Sequence, residues 1–287
     1  VLIPTSLFIG MKLWTANISG LCGFIPLVCN SADSAALSYV DNLWETQGTL
    51  IKSGGAMNWE NVAWSLVGDT DFSSDTSLAA ESINMNNNVL SLSSETSDLT
   101  ITDNLTFDDS GEQIITGSAD LILLGGVALE DGKISSTGGL ISFEKGAVQS
   151  GGILDVTDST IILGDNFVKT AGTLTTNLDG TILEITESLS FASDSAISVK
   201  QINLNDKTFT MVSDTSDLIV NEVVTLNESE EKIITGSADL TLNGIFNIAN
   251  GSIESSDGTL KFMGAINQTG GDLKIENSII GLNSDLN

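Results

Sequence analysis

The chain has 287 residues with 38 acidic and 10 basic side chains, every basic one a lysine, and no histidine, for a formal net charge of −28. That balance excludes nucleic acid and anionic membranes as partners, because binding a polyanion depends on Lys and Arg that neutralise phosphate. The missing histidine removes Ser-His-Asp and Cys-His catalysis, His-ligated zinc and the neutral-pH proton shuttle. Carboxylate-pair chemistry of the glycosidase kind stays open, although 38 acids nominate no pair.

Residues 1–36 have the layout of a secretory leader: Met11-Lys12, an apolar stretch from Ile18 to Cys29, then small residues at Ser34-Ala35-Ala36. A buried strand or cap is the alternative, since a single lysine makes a thin basic flank. Pro26 and the neighbouring glycines argue against a membrane-spanning helix, and no apolar run of about 18 residues occurs elsewhere. No lipobox precedes Cys22 or Cys29, so removal of the leader leaves a mature chain without cysteine. Such a chain holds together without disulfides.

All four tryptophans (Trp14, Trp44, Trp59, Trp64), both prolines and Tyr39 lie before Gly68, which marks a boundary. Residues 37–68 read as a Trp-rich N-terminal cap. Large aromatics over the first strands would stop an exposed edge from pairing with other chains; sugar binding by the same residues is the alternative. Trp44, Asn58-Trp59-Glu60-Asn61-Val62-Ala63-Trp64 and Gly68-Asp69-Thr70-Asp71-Phe72 are followed at once by short alternating segments. This W…NWxxxxW…GDTxF pattern resembles the start of the β-solenoid passenger of bacterial autotransporters and related surface repeat proteins, and Thr235-Gly-Ser-Ala-Asp-Leu-Thr-Leu242 is similar to their strand units. The resemblance implies export, a cell-surface location and an outer-membrane barrel beyond Asn287.

Residues 69–287 are repetitive. The octapeptide IITGSADL occurs at Ile114–Leu121 and at Ile233–Leu240, an offset of 233 − 114 = 119 residues. The same offset brings Phe72 onto Phe191, Thr96-Ser-Asp-Leu99 onto Thr215-Ser-Asp-Leu218, and Gly151-Gly152 onto Gly270-Gly271, and it runs on to Asn287 without a closing segment, as expected of a truncated repeat. Inside each copy, apolar-polar alternation breaks at Gly, Asn or Asp, as in Asp239-Leu-Thr-Leu-Asn-Gly and Ile245-Phe-Asn-Ile-Ala-Asn-Gly. Period-2 alternation with β-branched residues predicts short half-buried strands, and the breaks supply the positive φ of tight corners. Three strands and three corners give a coil of about 20 residues, hence an all-β, right-handed parallel β-solenoid of about eleven coils. On this reading 119 residues are close to six coils copied whole. An array of antiparallel β-sandwich domains of about 120 residues is the competing fold.

Asp108-Asp-Ser-Gly-Glu112 aligns with Asn227-Glu-Ser-Glu-Glu231, so an acidic corner appears twice. Calcium suits oxygen ligands at a turn, but neither DxDxDG spacing nor a GGxGxD repeat is present, and a solvated corner is the preferred reading. Asn86-Asn87-Asn88 and Asn205 read as a polar turn, with an asparagine ladder as the alternative. Asn-x-Ser/Thr triplets at Asn104, Asn227 and Asn267 matter only in a glycosylating pathway. No P-loop or dinucleotide fingerprint occurs. The sequence therefore assigns no catalytic, cofactor-binding or metal residue, and no cofactor beyond a marginal claim for calcium. The expected function is a secreted, cell-surface structural or adhesive solenoid that presents an acidic repetitive surface to another cell, matrix, glycan or itself. The alternatives are a carbohydrate-active β-helix and a passive spacer.

Overall fold

A computed structural model describes residues 27–28, 36–40, 43–52, 57–72 and 77–283, the last span without 93, 96 and 194. The segment read as a leader thus lies outside the described residues except for Leu27, Val28 and Ala36. From Met57 onward the chain winds as a parallel β-solenoid of about 11 turns. One turn shows the plan: Leu121–Leu123 forms one side, Val127–Leu129 the second and Lys133–Ser136 the third, after which Leu140–Phe143 returns to stand over Leu121–Leu123 in parallel register. We call these sides faces A, B and C. Met57–Phe72 is long enough to bend around the coil, pairing with Leu78–Asn84 through its first part and with Val89–Leu92 through Thr70–Phe72. The chain's N-terminal strands run the other way: Ala36–Val40 and Leu27–Val28 pair antiparallel with Leu43–Lys52. Leu43–Lys52 itself lies parallel to Met57–Phe72.

Alternation does what the sequence requires of it. In strand after strand, every second side chain is buried and its neighbour faces out, as in Thr160–Leu163 and Asp217–Val220. The inward residues make one continuous core from Trp64 to Ile266, in which Phe143, Phe167, Phe191 and Phe209 lie in succession with ring centroids 5.5, 5.7 and 5.2 Å apart. Each such ring contributes about 2 to 3 kcal/mol by leaving water, and the stacked backbones pair with the coils above and below. At about 4.8 Å per coil the 11 turns form a rod on the order of 50 Å long.

The structure corrects the reading of the large repeat as six whole coils. Among the described residues, Gln113–Gly117 is the ninth strand and Lys232–Gly236 the twenty-sixth. Seventeen strands at three per coil are five and two-thirds coils. Gln113–Gly117 accordingly lies on face C, beside Lys133–Ser136, whereas its copy lies on face B, in the nine-stranded sheet that begins with Leu105–Phe107. The sequence estimate went astray because coil length varies: Gln201 stands over Ile182, a step of 19 residues, but Lys232 stands over Thr208, a step of 24. Local geometry survives this change of face. Gly132 and its copy Gly251 have φ of 68° and 66°, and a Cβ at either would lie 2.4 or 2.3 Å from the carbonyl oxygen of Glu112 or its copy Glu231. Sides and corners are therefore interchangeable modules.

Candidate functional site

The acidic corners are the places where the sequence gathers chemistry-bearing groups, and the structure builds them around one buried carboxylate each. Glu112 is 4% exposed and Glu231 6%. The chain turns sharply at 108–111, so backbone N–H groups that would otherwise pair along a strand converge on the Glu112 side chain. Its Oε2 accepts from the amides of Asp108 at 2.9 Å and Asp109 at 3.4 Å, and its Oε1 from Asn87 of the preceding coil at 3.3 Å. In the second copy Oε2 of Glu231 accepts from Asn227 at 2.7 Å and Glu228 at 3.1 Å. The expected solvated corner is thus a buried clamp with an exposed acidic rim. Asp108, Asp109 and Glu112 lie close enough together to hold a metal ion, but the central carboxylate already serves three amides, and the second copy replaces Asp108 with Asn227.

Other aspartates do similar work between coils. Asp98 Oδ1 accepts from the amide of Asp120, Asp120 Oδ1 from Leu140, and Asp239 Oδ1 from Thr259, at 3.1, 2.8 and 2.8 Å. These acids begin face A in the first copy and face C in the second, and each satisfies a donor one coil on, where the ladder would break. Lysine also bridges successive coils: Lys133 to Asp155 and Lys274 to Glu254, both at 2.8 Å, with longer pairs at Lys207–Glu187 and Lys200–Glu222. The hydrogen bond from Lys274 is the main reason the Glu254 carboxyl is held below the usual carboxylate range, and Glu254 in turn raises the Lys274 ammonium.

Asn86 and Asn87 adopt φ of 48° and 59°, so the stretch is a turn as expected. Asn86 Nδ2 donates to Leu66 O at 2.9 Å and Asn205, its copy, donates to Ile185 O at 3.2 Å, tying the turn to the coil below. An asparagine pair bridges two coils on face A, with Asn267 Nδ2 donating to Asn247 Oδ1 at 2.9 Å above Thr225. Trp64 is fully buried, its Nε1 donating to Thr46 Oγ1 at 2.6 Å. It packs the lumen and offers no platform to a ligand; the side chains of Trp14, Trp44 and Trp59 lie outside the described residues.

Sequence reasoning also missed a polar break in the core. Phe107, Leu129, Gln149, Lys169, Phe191 and Met211 form one inward column of face B. Lys169 is 1% exposed and donates to Gly172 O at 2.9 Å and Ser193 Oγ at 3.1 Å, while Gln149 Nε2 donates to Thr173 O at 2.8 Å. The signal was available: Lys169 falls at the inward phase of Phe167-Val168-Lys169.

The outer columns carry few charges. On face A the register Thr100, Ile122, Ser142, Ile162 is uncharged before it meets Glu184, and on face C Lys133 and Asp155 stand out as an ion pair. On face B the column Val148, Val168, Ser190, Thr210, Ile234 is uncharged before it meets Glu254. Comparison with protein-family models, with curated proteins and with solved structures gives no match to this chain.

Proposed function

We propose that this protein is a secreted, cell-surface solenoid that acts by holding long, flat faces in rigid array for adhesion, without catalysing a reaction. The observation that carries this reading is the use to which its acids are put. Glu112, Glu231, Asp98, Asp120 and Asp239 spend their carboxylates on backbone amides. What the rod offers to a partner is then the outer columns of its sides, at coil spacing, while the remaining exposed acids keep rods soluble and apart. The tryptophan and glycine motifs that resemble autotransporter passengers support export to a surface. Full-length protein immobilised on beads is expected to retain cells, matrix or further copies of itself, across salt concentrations and with added calcium. Absence of all three would overturn the adhesive reading. A glycan-degradation screen tests the non-catalytic part: turnover abolished by one Asp or Glu substitution refutes it.

A further inference from the structure

We propose that Asn250 is a self-modifying site, at which the side chain and the Gly251 nitrogen close to a succinimide and water opens the ring to aspartate or isoaspartate. The inference stands apart from the adhesive reading. Two Asn-Gly pairs occur, Asn243-Gly244 and Asn250-Gly251. Glycine follows both, so an unfolded chain treats them alike, and the fold separates them. Asn250-Gly251 is the copy of Asp131-Gly132 at the 119-residue offset, and the two corners share a backbone. Gly132 and Gly251 have φ of 68° and 66°. The amides of Glu130 and Asp131 both donate to Phe107 O, at 2.9 and 3.1 Å, and those of Ala249 and Asn250 both donate to Leu226 O, at 2.9 and 3.2 Å. In the first copy the side chain folds back along its own chain, the Gly132 N–H donating to Asp131 Oδ1 at 2.9 Å. Cγ is one bond from that oxygen, so this corner sets a side-chain carbonyl carbon beside the following backbone nitrogen. Asn250 is exposed, as Asp131 is, and has the room to take the same rotamer. Asn243 is held differently: it is half-buried, its Nδ2 donates to Asn221 Oδ1 at 3.4 Å, and Gly244 lacks the left-handed φ.

What differs between the copies is the electrophile. The Asp131 carboxylate is anionic and resists attack, whereas the Asn250 carboxamide is neutral and can release ammonia. The deprotonated Gly251 nitrogen attacks Cγ of Asn250, the N–Cγ bond forms, the Cγ–Nδ2 bond breaks, and Nδ2 leaves as ammonia carrying the proton that Gly251 gave up. Water then adds to one of the two imide carbonyls. Addition at Cγ gives aspartate, the residue of the first copy; addition at the backbone carbonyl gives isoaspartate, with the main chain routed through Cγ. Glu228 and Glu230 are exposed on the same corner and oppose the deprotonation. Surface charges of this kind change a rate by roughly fivefold at most, whereas misplacing the reacting groups by about 1 Å costs about a hundredfold, so geometry decides which asparagine reacts. Isoaspartate adds a main-chain methylene at a corner where a Cβ on Gly251 would already lie 2.3 Å from Glu231 O, the oxygen that accepts from Ser252 at 2.9 Å.

The test is to hold the full chain in mildly alkaline buffer at physiological temperature, sample it over weeks, and cleave after lysine. The peptide from Ile233 to Lys261 carries both asparagines, and fragment masses place the amide-to-acid conversion, while electron-transfer fragmentation tells isoaspartate from aspartate. Asn250 is expected to convert at least about tenfold faster than Asn243 in the folded chain, with isoaspartate among its products. In urea the two rates should come within about threefold of each other, since the corner no longer aligns either pair. Asn250→Gln, whose longer side chain closes the smaller imide ring no more, should stay intact at 250 and leave the Asn243 rate unchanged. An unconverted Asn250, equal rates in the folded chain, or faster loss at Asn243 overturns the proposal. So does conversion to aspartate alone, because direct hydrolysis bypasses the ring and yields no isoaspartate.

Discussion

Glu112→Ala is expected to loosen one corner of the rod without melting it. Three acceptor contacts disappear, one at 2.9 Å and two at 3.3 to 3.4 Å. A hydrogen bond to a charged group contributes about 1.5 to 3 kcal/mol. The two long bonds count for less, and Asp108, Asp109 and Asn87 are exposed enough for their amides to regain water. The net cost is therefore about 2 to 3 kcal/mol, near the value for one good charged bond. In a solenoid, each coil contacts only its neighbours, so the loss appears as local opening more than as a shift of one global transition. Hydrogen exchange followed by NMR reads this directly. The amides of Asp108, Asp109 and Asn87 should exchange roughly 30- to 140-fold faster, at tenfold per 1.4 kcal/mol. Glu112→Gln, which keeps an acceptor oxygen but not the charge, should produce about half the free-energy change. Unchanged exchange in the alanine variant would refute the clamp. So would calcium that slows exchange in wild type but not in Glu112→Ala, since the carboxylate would then be serving an ion.

Phe191→Ala removes a ring lying between Phe167 and Phe209 and should cost about 3 to 5 kcal/mol, seen as a lower urea midpoint for the coils around it; a cost under about 1 kcal/mol would mean the column is not packed. Gly132→Ala sets a Cβ against the Glu112 carbonyl at φ 68°, whereas at Gly236, φ 54°, the nearest atom is 3.5 Å away. The first substitution should therefore be the more damaging, the second costing only the 1 to 2 kcal/mol or so of the left-handed conformation, and equal thermal shifts would contradict the geometry. Lys274→Met should raise the Glu254 carboxyl back toward the usual carboxylate range in an NMR titration. In wild type the depressed Glu254 contributes stability above the unfolded carboxylate range and loses it as pH falls, and the raised Lys274 contributes below the ordinary lysine range and loses it as pH rises beyond it. An unmoved Glu254 titration would show that the pair does not persist in solution.

The coil was legible because alternation and positive-φ corners are local signals, and both Gly132 and Gly251 stand at breaks in the strand pattern. The order of stacking was not. Which strand stands over which depends on coil length, and the excursions between Val89 and Gln113, and between Thr208 and Lys232, are invisible to an average period. The burial of Glu112 was hidden for a related reason, since an acid in an acidic stretch reads as solvated until the chain's curvature brings amides to it. One sign did exist: 112 and 231 are both Glu, while 108 and 227, and 109 and 228, differ between the copies. The uncharged stretches of the outer columns could not be read at all, because residues such as Val148, Val168, Ser190 and Thr210 are neighbours only across coils.

The change of face between the two copies gives the rod a rotary index. If any side of about seven residues can serve as any of the three faces, inserting one such side leaves the lumen filled while turning everything downstream by a third of a revolution. Growth by single sides thus aims a surface as well as lengthening it. A strip of uniform character along one face then records an alignment kept in spite of that freedom, and inserting one side upstream of Gly111 should swing the entire later strip to another side of the rod.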